Sequence, residues 1–107
     1  MSARGHLLRG RIYAANIIGA EKYYLVVSNN SRNASLASGL AVRITTTPKQ
    51  LVPSIVPLPV GEVVTGSILC DDMTVIYEDE VTRDLGALSR STMDRVDRGL
   101  KFALALN

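Results

Sequence analysis

Only one stretch of this chain has the spacing of a long amphipathic helix, and it lies at the carboxyl end. Its apolar residues recur at intervals of three and four, at Met93, Val96, Leu100, Ala103 and Leu104. Ser89 or Ser91 can cap the start of this helix, and Ser91 followed by Asp94 fits a capping box. Everything before it is therefore expected to fold mainly as short strands and turns.

Glycine, proline and polar turn residues divide the rest of the chain into short strand-forming segments. The predicted strands are residues 11–18, 23–28, 39–46, 54–58 and 67–71, with residues 73–76 as a short last strand. The Gly19–Lys22 connection predicts a hairpin between the first two strands. Pro53, Pro57 and Pro59 place the fourth strand at a sheet edge or bend it, because proline cannot donate to a central ladder. Residues 29–38 are polar and predict a loop or one helical turn.

Short strands followed by one helix predict an α+β fold, in which the helix caps a curled antiparallel sheet. A length of 107 residues, with 47% hydrophobic and 21% charged residues, predicts a single globular domain over residues 1–107. The net charge of +2 permits nucleic-acid binding without indicating it, so a basic surface must come from local clustering.

The numbers of cysteine and histidine residues and the hydropathy of the chain exclude several classes of site and location. Cys70 is the only cysteine and His6 the only histidine, which excludes an intramolecular disulfide and zinc sites built from several such residues. The sequence has neither a signal-peptide pattern nor a run of about 20 apolar residues. We therefore expect a cytoplasmic protein without contact to a membrane.

Several short motifs follow one another in an order similar to that of a known toxin family. They are Arg9–Tyr13, Leu25–Asn30, Arg43–Thr47, Pro53–Leu58 and Gly66–Asp71, followed by Leu88–Ser89, Met93, Val96–Asp97, Leu100 and Leu104. From about Leu8 to Leu106, this set resembles the MazF/PemK family of toxin endoribonucleases. The resemblance implies a small SH3-like β-barrel of the MazF/CcdB type with a C-terminal α-helix. It also implies the toxin of a type II toxin–antitoxin system, which cleaves RNA and so inhibits translation and growth.

The same resemblance implies the partners. The toxin is expected to form a homodimer and to bind a MazE-like antitoxin, whose acidic carboxyl-terminal segment covers the RNA groove. RNA cleavage needs no metal in principle, because the ribose 2′-OH can attack the adjacent phosphorus while side chains move protons and balance charge. We therefore expect no metal and no cofactor. The acidic clusters Asp71–Asp72 and Glu78–Glu80 could hold Mg²⁺ but are more typical of a solvated loop.

Two residues are the catalytic candidates that the resemblance implies. Alignment back from Leu25–Val27 places Lys22 where the family has a catalytic arginine. Lysine keeps the charge but lacks the two-pronged guanidinium, and the alternative is a solvated turn lysine. Ser54, after Pro53, matches the family hydroxyl that stabilises the phosphoryl transition state. The alternative is a serine that hydrogen-bonds the backbone at the start of a strand.

The remaining candidates for RNA contact are Arg11, Tyr23, Arg43, Thr45, Thr46 and Lys49. Arg43 and the residues after it are expected to meet phosphates at an exposed strand end. Arg11 replaces an acidic residue frequent in the family and could supply the cation lost with the family arginine. Tyr23 could stack on a base, although adjacent tyrosines in a strand more often divide between core and surface.

Two other functions stay open on the sequence alone. The shortened Gly19–Lys22 loop and the missing arginine are compatible with a CcdB-like toxin that binds a protein target such as gyrase. A non-catalytic SH3-like interaction module is the second alternative. Phe102 and Leu106 fall opposite the core stripe of the last helix, either as a frayed end or as a contact with a dimer mate or partner.

Overall fold

The computed structural model describes residues 6–47 and 49–107. Within them, six strands form one antiparallel sheet in the order β4-β5-β3-β2-β1-β6. The elements are β1 Arg11–Asn16, β2 Glu21–Val26, α1 Asn30–Leu36, β3 Ser38–Thr45, β4 Ile55–Pro57, β5 Ser67–Tyr77, β6 Val81–Ala87 and α2 Arg90–Ala103, with a 3₁₀ turn at Glu78–Glu80. The predicted curled antiparallel sheet with a C-terminal helix is confirmed. Its edges β4 and β6 do not pair with each other in this part of the chain, so the sheet curls without closing.

The sheet is buried on both faces. The helix face lies under α2 and is formed by Ile12, Leu25, Val27, Val42, Ile44, Val56, Ile68, Cys70, Leu88 and Val96. The outer face carries Tyr13, Ala15, Tyr24, Val26, Ala41 and Ile76, and Leu7 from the amino-terminal segment packs on it. Because successive side chains of a strand point to opposite faces, neighbouring residues such as Tyr23 and Tyr24 are divided between the two.

Helix α2 follows the predicted apolar stripe, but its ends differ from the prediction. Ser89 is the N-cap, and its hydroxyl accepts a hydrogen bond from the Thr92 backbone nitrogen at 3.3 Å. The capping box predicted at Ser91 is therefore wrong. Val96 is fully buried, whereas Leu104 follows the last helical residue and is 53% exposed, so it does not extend the stripe.

Three elements differ from the sequence prediction. Strand β6 was not predicted, and Asn30–Leu36 forms a helix rather than a loop or a single turn. This helix is anchored by Asn33, which is fully buried and exchanges hydrogen bonds with Ser28. Residues 67–77 form one strand instead of two, because a register shift between Val42 and Arg43 of β3 absorbs the extra residues of β5 as a bulge. The predicted hairpin of β1 and β2 and the edge position of β4 are confirmed.

Candidate functional site

Lys22, Arg43 and Thr45 meet on the outer face of the sheet. Lys22 lies opposite Ala15, and Tyr24, two residues later, lies opposite Arg43 of β3. Directly opposed residues and residues two apart in a strand share a face, so both cations lie on the face of Tyr24. Continuing the register one residue beyond Tyr23 and Ile44 places Thr45 opposite Lys22, with Cβ atoms about 5 Å apart. Two positive charges and a hydroxyl therefore come from two neighbouring strands.

Arg43 has a buried donor, its Nε, without a hydrogen-bond partner in the described part of the chain. A buried donor without a partner costs about 1–3 kcal/mol, and an anionic oxygen would satisfy it. The neighbouring Tyr24 is 4% exposed, and burial raises the pKa of its hydroxyl, with Arg43 opposing the shift and Asp72 and Glu80 adding to it. The centre of this face therefore combines neutral hydroxyls with guanidinium and ammonium groups.

Arg11 lies on the same face, but its charge is already paired. Its Nε lies 3.2 Å from both carboxylate oxygens of Asp84, and its Nη2 lies 3.1 Å from Oδ1. The pair borders a cleft of about 420 Å³ at the β1–β6 end of the sheet, which Tyr13 also lines. His6 Nδ1 lies 3.1 Å from a carboxylate oxygen of Glu78 in the same cleft. Arg11 therefore offers less free positive charge than Lys22 or Arg43.

Tyr23 lies on the other face of the sheet. Its ring packs against the buried residues of the helix face, and the guanidinium carbon of Arg83 lies 5.8 Å from the ring centroid. Arg83 also donates a hydrogen bond to Glu21 at 2.8 Å. Hydrogen bonds from Thr82 and Arg83 lower the pKa of the Glu21 carboxyl. The structure therefore does not bring Tyr23 to Lys22 and Arg43.

Ser54 lies directly before the edge strand β4 and is 5% exposed. Its carbonyl accepts a hydrogen bond from the Cys70 backbone nitrogen at 2.8 Å, which fixes this residue against β5. Strands β5 and β3 lie between β4 and β2, so Ser54 and Lys22 are three strand spacings apart, or about 14 Å across a flat sheet. The hydroxyl that the extended β2–β3 register places opposite Lys22 is that of Thr45.

Thr46, Thr47 and Lys49 lie outside the sheet and are exposed. The Thr45 hydroxyl accepts a hydrogen bond from the Thr47 backbone nitrogen at 3.1 Å, which fixes the turn. Thr46 and Lys49 extend the polar surface beyond the sheet but share no ladder pair with Lys22.

Two basic residues of α2 were missed by sequence reasoning. Arg95 and Arg98 line a second cleft together with Pro53 and Ile55, the residues on either side of Ser54. Their spacing on the helix predicts only that they avoid the core stripe, and no local signal indicates that β4 lies beside them. Their proximity to Ser54 depends on the packing of two elements far apart in sequence.

The two acidic clusters do not form a metal site within the residues that the structure describes. Asp71 and Asp72 are exposed within β5, and Glu78–Glu80 forms the 3₁₀ turn before β6. No group of three histidine, cysteine, aspartate or glutamate residues within 6–47 and 49–107 could hold a metal ion. Nor does this part of the chain contain a helix with the length and apolarity needed to span a membrane.

The chain matches known proteins over nearly its whole length. Residues 8–104 match the family model described as "PemK-like, MazF-like toxin of type II toxin-antitoxin system". Endoribonuclease MazF4 of Mycobacterium tuberculosis is 34% identical over 99 residues, which cover 92% of this chain and 93% of that protein. A mycobacterial endoribonuclease solved in complex with its cognate antitoxin is 34% identical, with a TM-score of 0.89, covering 94% of this chain and 97% of that chain. A second mycobacterial endoribonuclease structure is 32% identical, with a TM-score of 0.88, covering 98% and 97%. This chain therefore belongs to the PemK-like, MazF-like toxin family of type II toxin–antitoxin systems.

Proposed function

We propose that this protein is a toxin endoribonuclease that cuts RNA at specific sites without a metal ion. The observation that carries the proposal is that Lys22 and Arg43 lie on the same face of the sheet, on neighbouring strands. The mycobacterial relatives of this chain are named endoribonucleases. The family match favours this function over the CcdB-like gyrase poison and over the non-catalytic interaction module.

The reaction is a transesterification followed by release of two RNA ends. The ribose 2′-oxygen bonds to the adjacent phosphorus and gives up its proton, while the bond from phosphorus to the 5′-oxygen breaks. The products are a 2′,3′-cyclic phosphate and a free 5′-hydroxyl. The site must accept the proton of the 2′-OH, protonate the leaving 5′-oxygen and stabilise negative charge on the non-bridging oxygens.

We assign the proton transfer to Lys22 and the charge stabilisation to Arg43 and Ser54. Because Ser54 lies three strand spacings from Lys22 within one copy, we propose that Ser54 reaches the same phosphate from the other copy of the homodimer. Charge-assisted hydrogen bonds from an ammonium or guanidinium to a phosphoryl oxygen are among the stronger ones in proteins. Ser54 would donate a hydrogen bond to a non-bridging oxygen, and its 5% exposure requires the segment before β4 to move when RNA binds. Thr45, Thr46 and Lys49 are proposed to contact flanking phosphates.

Tyr23 and Arg11 have a supporting part in this proposal. Arg83 holds the ring of Tyr23 on the helix face, so a base could stack on it only at the end of the strand. Arg11 would contact RNA after exchanging Asp84 for a phosphate. We therefore expect smaller effects from substitutions at these two residues than at Lys22.

The proposal includes the partners and the location of the protein. We propose that residues 1–107 act as one toxin domain, that two copies form a homodimer, and that a MazE-like antitoxin neutralises it. We propose a cytoplasmic location, because a toxin of this kind would meet both its RNA substrate and its antitoxin in the cytoplasm.

Cleavage in excess chelator tests the chemistry. We expect wild-type protein to cut RNA in the presence of EDTA and to leave 5′-hydroxyl ends. Lys22→Ala should lower the rate at least about 100-fold, as expected on loss of a proton-transfer group. Ser54→Ala should lower it about 100-fold, as for loss of one transition-state hydrogen bond. Lys101→Ala and Ser91→Ala, both exposed on α2, are controls matched in residue type and should cleave normally.

Thermal unfolding of each variant separates catalysis from folding, which matters for the buried Ser54. Wild-type activity that disappears with EDTA and returns with Mg²⁺ would contradict metal-independent cleavage. Full activity of folded Lys22→Ala and Ser54→Ala would reject these two residues without rejecting the nuclease.

A further inference from the structure

A cleft of about 370 Å³ lies between the edge strand β4 and helix α2. Its walls are Pro53, Ile55, Val56 and Pro57 on the strand side and Arg95, Arg98 and Gly99 on the helix side. None of these residues is acidic. The cleft therefore combines an apolar wall with two guanidinium groups.

Gly99 brings the two elements this close. A Cβ at this position would lie 2.8 Å from the Cys70 sulfur and 3.2 Å from the Pro53 carbonyl oxygen. Only glycine leaves room for α2 to lie directly on the chain that precedes β4. Arg95, one turn before Gly99, and Arg98, its neighbour, are thereby placed beside the segment that contains Ser54.

Neither guanidinium of the cleft is held by a close carboxylate, although Arg95 is near enough to Glu62 to help lower the pKa of that carboxyl. Neither arginine forms a salt bridge with a carboxylate in the described part of the chain. Arg95 donates only a long hydrogen bond to the Thr92 hydroxyl, at 3.4 Å. The nearby acidic residue Asp97 is paired with Arg9, and neither residue lines the cleft. An anion entering the cleft would meet two available guanidinium groups.

The backbone of β4 offers little to an added strand. Pro57 has no backbone N–H, and the Ile55 nitrogen already donates to the Val52 carbonyl at 2.9 Å. The Leu58 nitrogen donates to the Gly66 carbonyl on the β5 side. A peptide that binds by strand addition needs donors along the edge, and this edge lacks them. The cleft therefore suits a ligand recognised through anionic groups rather than through a peptide backbone.

We propose that this cleft binds single-stranded RNA through phosphates next to the scissile one, and that Arg95 and Arg98 hold them. The inference rests on the proposed function, because it places the cleft on the path of the same substrate. Pro53 and Ile55 flank Ser54 and line the cleft, so a strand whose phosphate reaches Ser54 continues into it. Their apolar surface gives a base a place to stack while the arginines bind the backbone.

The test compares two double variants of equal charge. Arg95→Ala with Arg98→Ala removes both cleft cations. Arg90→Ala with Lys101→Ala removes two cations of α2 that do not line the cleft. The ligand is a 2′-O-methyl RNA of about 12 nucleotides, which cannot be cut because it lacks the attacking hydroxyl. Its affinity is measured between about 50 and 200 mM salt.

For single strands, the logarithm of affinity falls with the logarithm of salt by about 0.7 per phosphate contact. We expect the cleft variant to lose about 1.4 from this slope and the control variant to keep it. With cleavable RNA of the same length, the cleft variant should raise KM about tenfold at unchanged kcat, because it removes binding of flanking groups only.

The other outcomes distinguish a failure of this inference from a failure of the proposed function. A cleft variant with the slope of the control overturns the inference, even if RNA is cut normally. If the cleft variant keeps the salt dependence of RNA binding but no longer binds the antitoxin, the cleft belongs to a protein partner, and the inference is also overturned. If the wild-type protein cuts no RNA, the proposed function is rejected. The binding measurement with uncleavable RNA still tests whether the cleft binds RNA.

Discussion

Glu62 connects the β4–β5 loop to the first turn of α2. Its carboxylate accepts hydrogen bonds from the Ser89 backbone nitrogen at 3.1 Å and from the Thr92 hydroxyl at 2.6 Å, and the Ser89 hydroxyl adds a third. Burial alone would raise the pKa of this carboxyl, but the hydrogen bonds from Ser89 and Thr92 outweigh it and lower the pKa below 4.5. The charged form is therefore the one that the folded protein stabilises, at the positive end of the helix dipole.

A substitution at this residue should change stability in a pH-dependent way. Because the pKa in the folded state is lowered, the stabilisation is present above the ordinary value near 4.5 and is lost as the pH falls through the lowered one. We expect Glu62→Gln to cost about 1–2 kcal/mol at neutral pH, and the difference from wild type to shrink as the pH falls below the ordinary value near 4.5. Urea unfolding across this range measures it.

Asp79→Asn, which removes one exposed acidic charge, is the control and should be nearly neutral at every pH. A Glu62→Gln difference that stays constant with pH would mean that the shape of the side chain matters and its charge does not.

At the scale of elements, α2 is held to the sheet by a close approach at Gly99. Glycine costs an exposed helix about 1 kcal/mol relative to alanine, so propensity alone predicts that Gly99→Ala stabilises the protein. The added methyl group would overlap the Cys70 sulfur and press on the Pro53 carbonyl oxygen and Val56. Overpacking of a core costs about 1–3 kcal/mol, so we expect a net loss of about 1 kcal/mol.

A double-mutant cycle identifies the contact that is responsible. Cys70→Ala removes the atom that would lie nearest to the new methyl group, so Gly99→Ala should cost less in that background. We expect a coupling of at least about 0.5 kcal/mol by urea denaturation. Stabilisation by Gly99→Ala alone would show that helix propensity outweighs the contact.

The elements that the sequence predicts well are those with a local signal. The stripe of α2 and the first hairpin have clear periodicity and turn residues, and both are found. Strand β6 has the sequence Val-Thr-Arg-Asp-Leu-Gly-Ala and lies mostly exposed at a sheet edge, so it has no apolar alternation to detect. Helix α1 depends on the cap by Asn29 and on the burial of Asn33, because four of its seven residues are asparagine or serine, which are unfavourable inside a helix.

The candidate site also has features that the sequence predicts and features that only the structure shows. Alternation along β3 predicts that Arg43 shares a face with Thr45. The sequence predicts Lys22 to lie in the connection between the strands, and only the structure places it in β2, on the face of Tyr24. Which strands lie side by side is decided by pairings distant in sequence, such as β3 with β5. For this reason the separation of Lys22 from Ser54, and the meeting of Arg95 with Pro53, emerge only from the assembled sheet and helix.

At the scale of the whole molecule, apolar surface is exposed at the end of α2. Phe102, Leu104 and Leu106 are 58%, 53% and 60% exposed and follow one another closely in the chain. Contiguous apolar surface on a folded protein commonly marks a contact with another chain. Because homodimers of this kind use the same patch on both copies, a pair of substitutions in the patch acts twice in the assembly.

We predict that this patch contributes to a homodimer of the protein. Sedimentation of wild-type protein should give about twice the chain mass of 11.5 kDa. Phe102→Ser with Leu106→Ser should shift the mass towards that of a single chain across roughly a hundredfold range of concentration, because dimer stability depends on concentration. The control is Leu51→Ser with Val60→Ser, which removes two apolar side chains that are highly exposed in loops. A patch variant that stays dimeric, or a wild-type protein that stays monomeric throughout, would favour a frayed helix end.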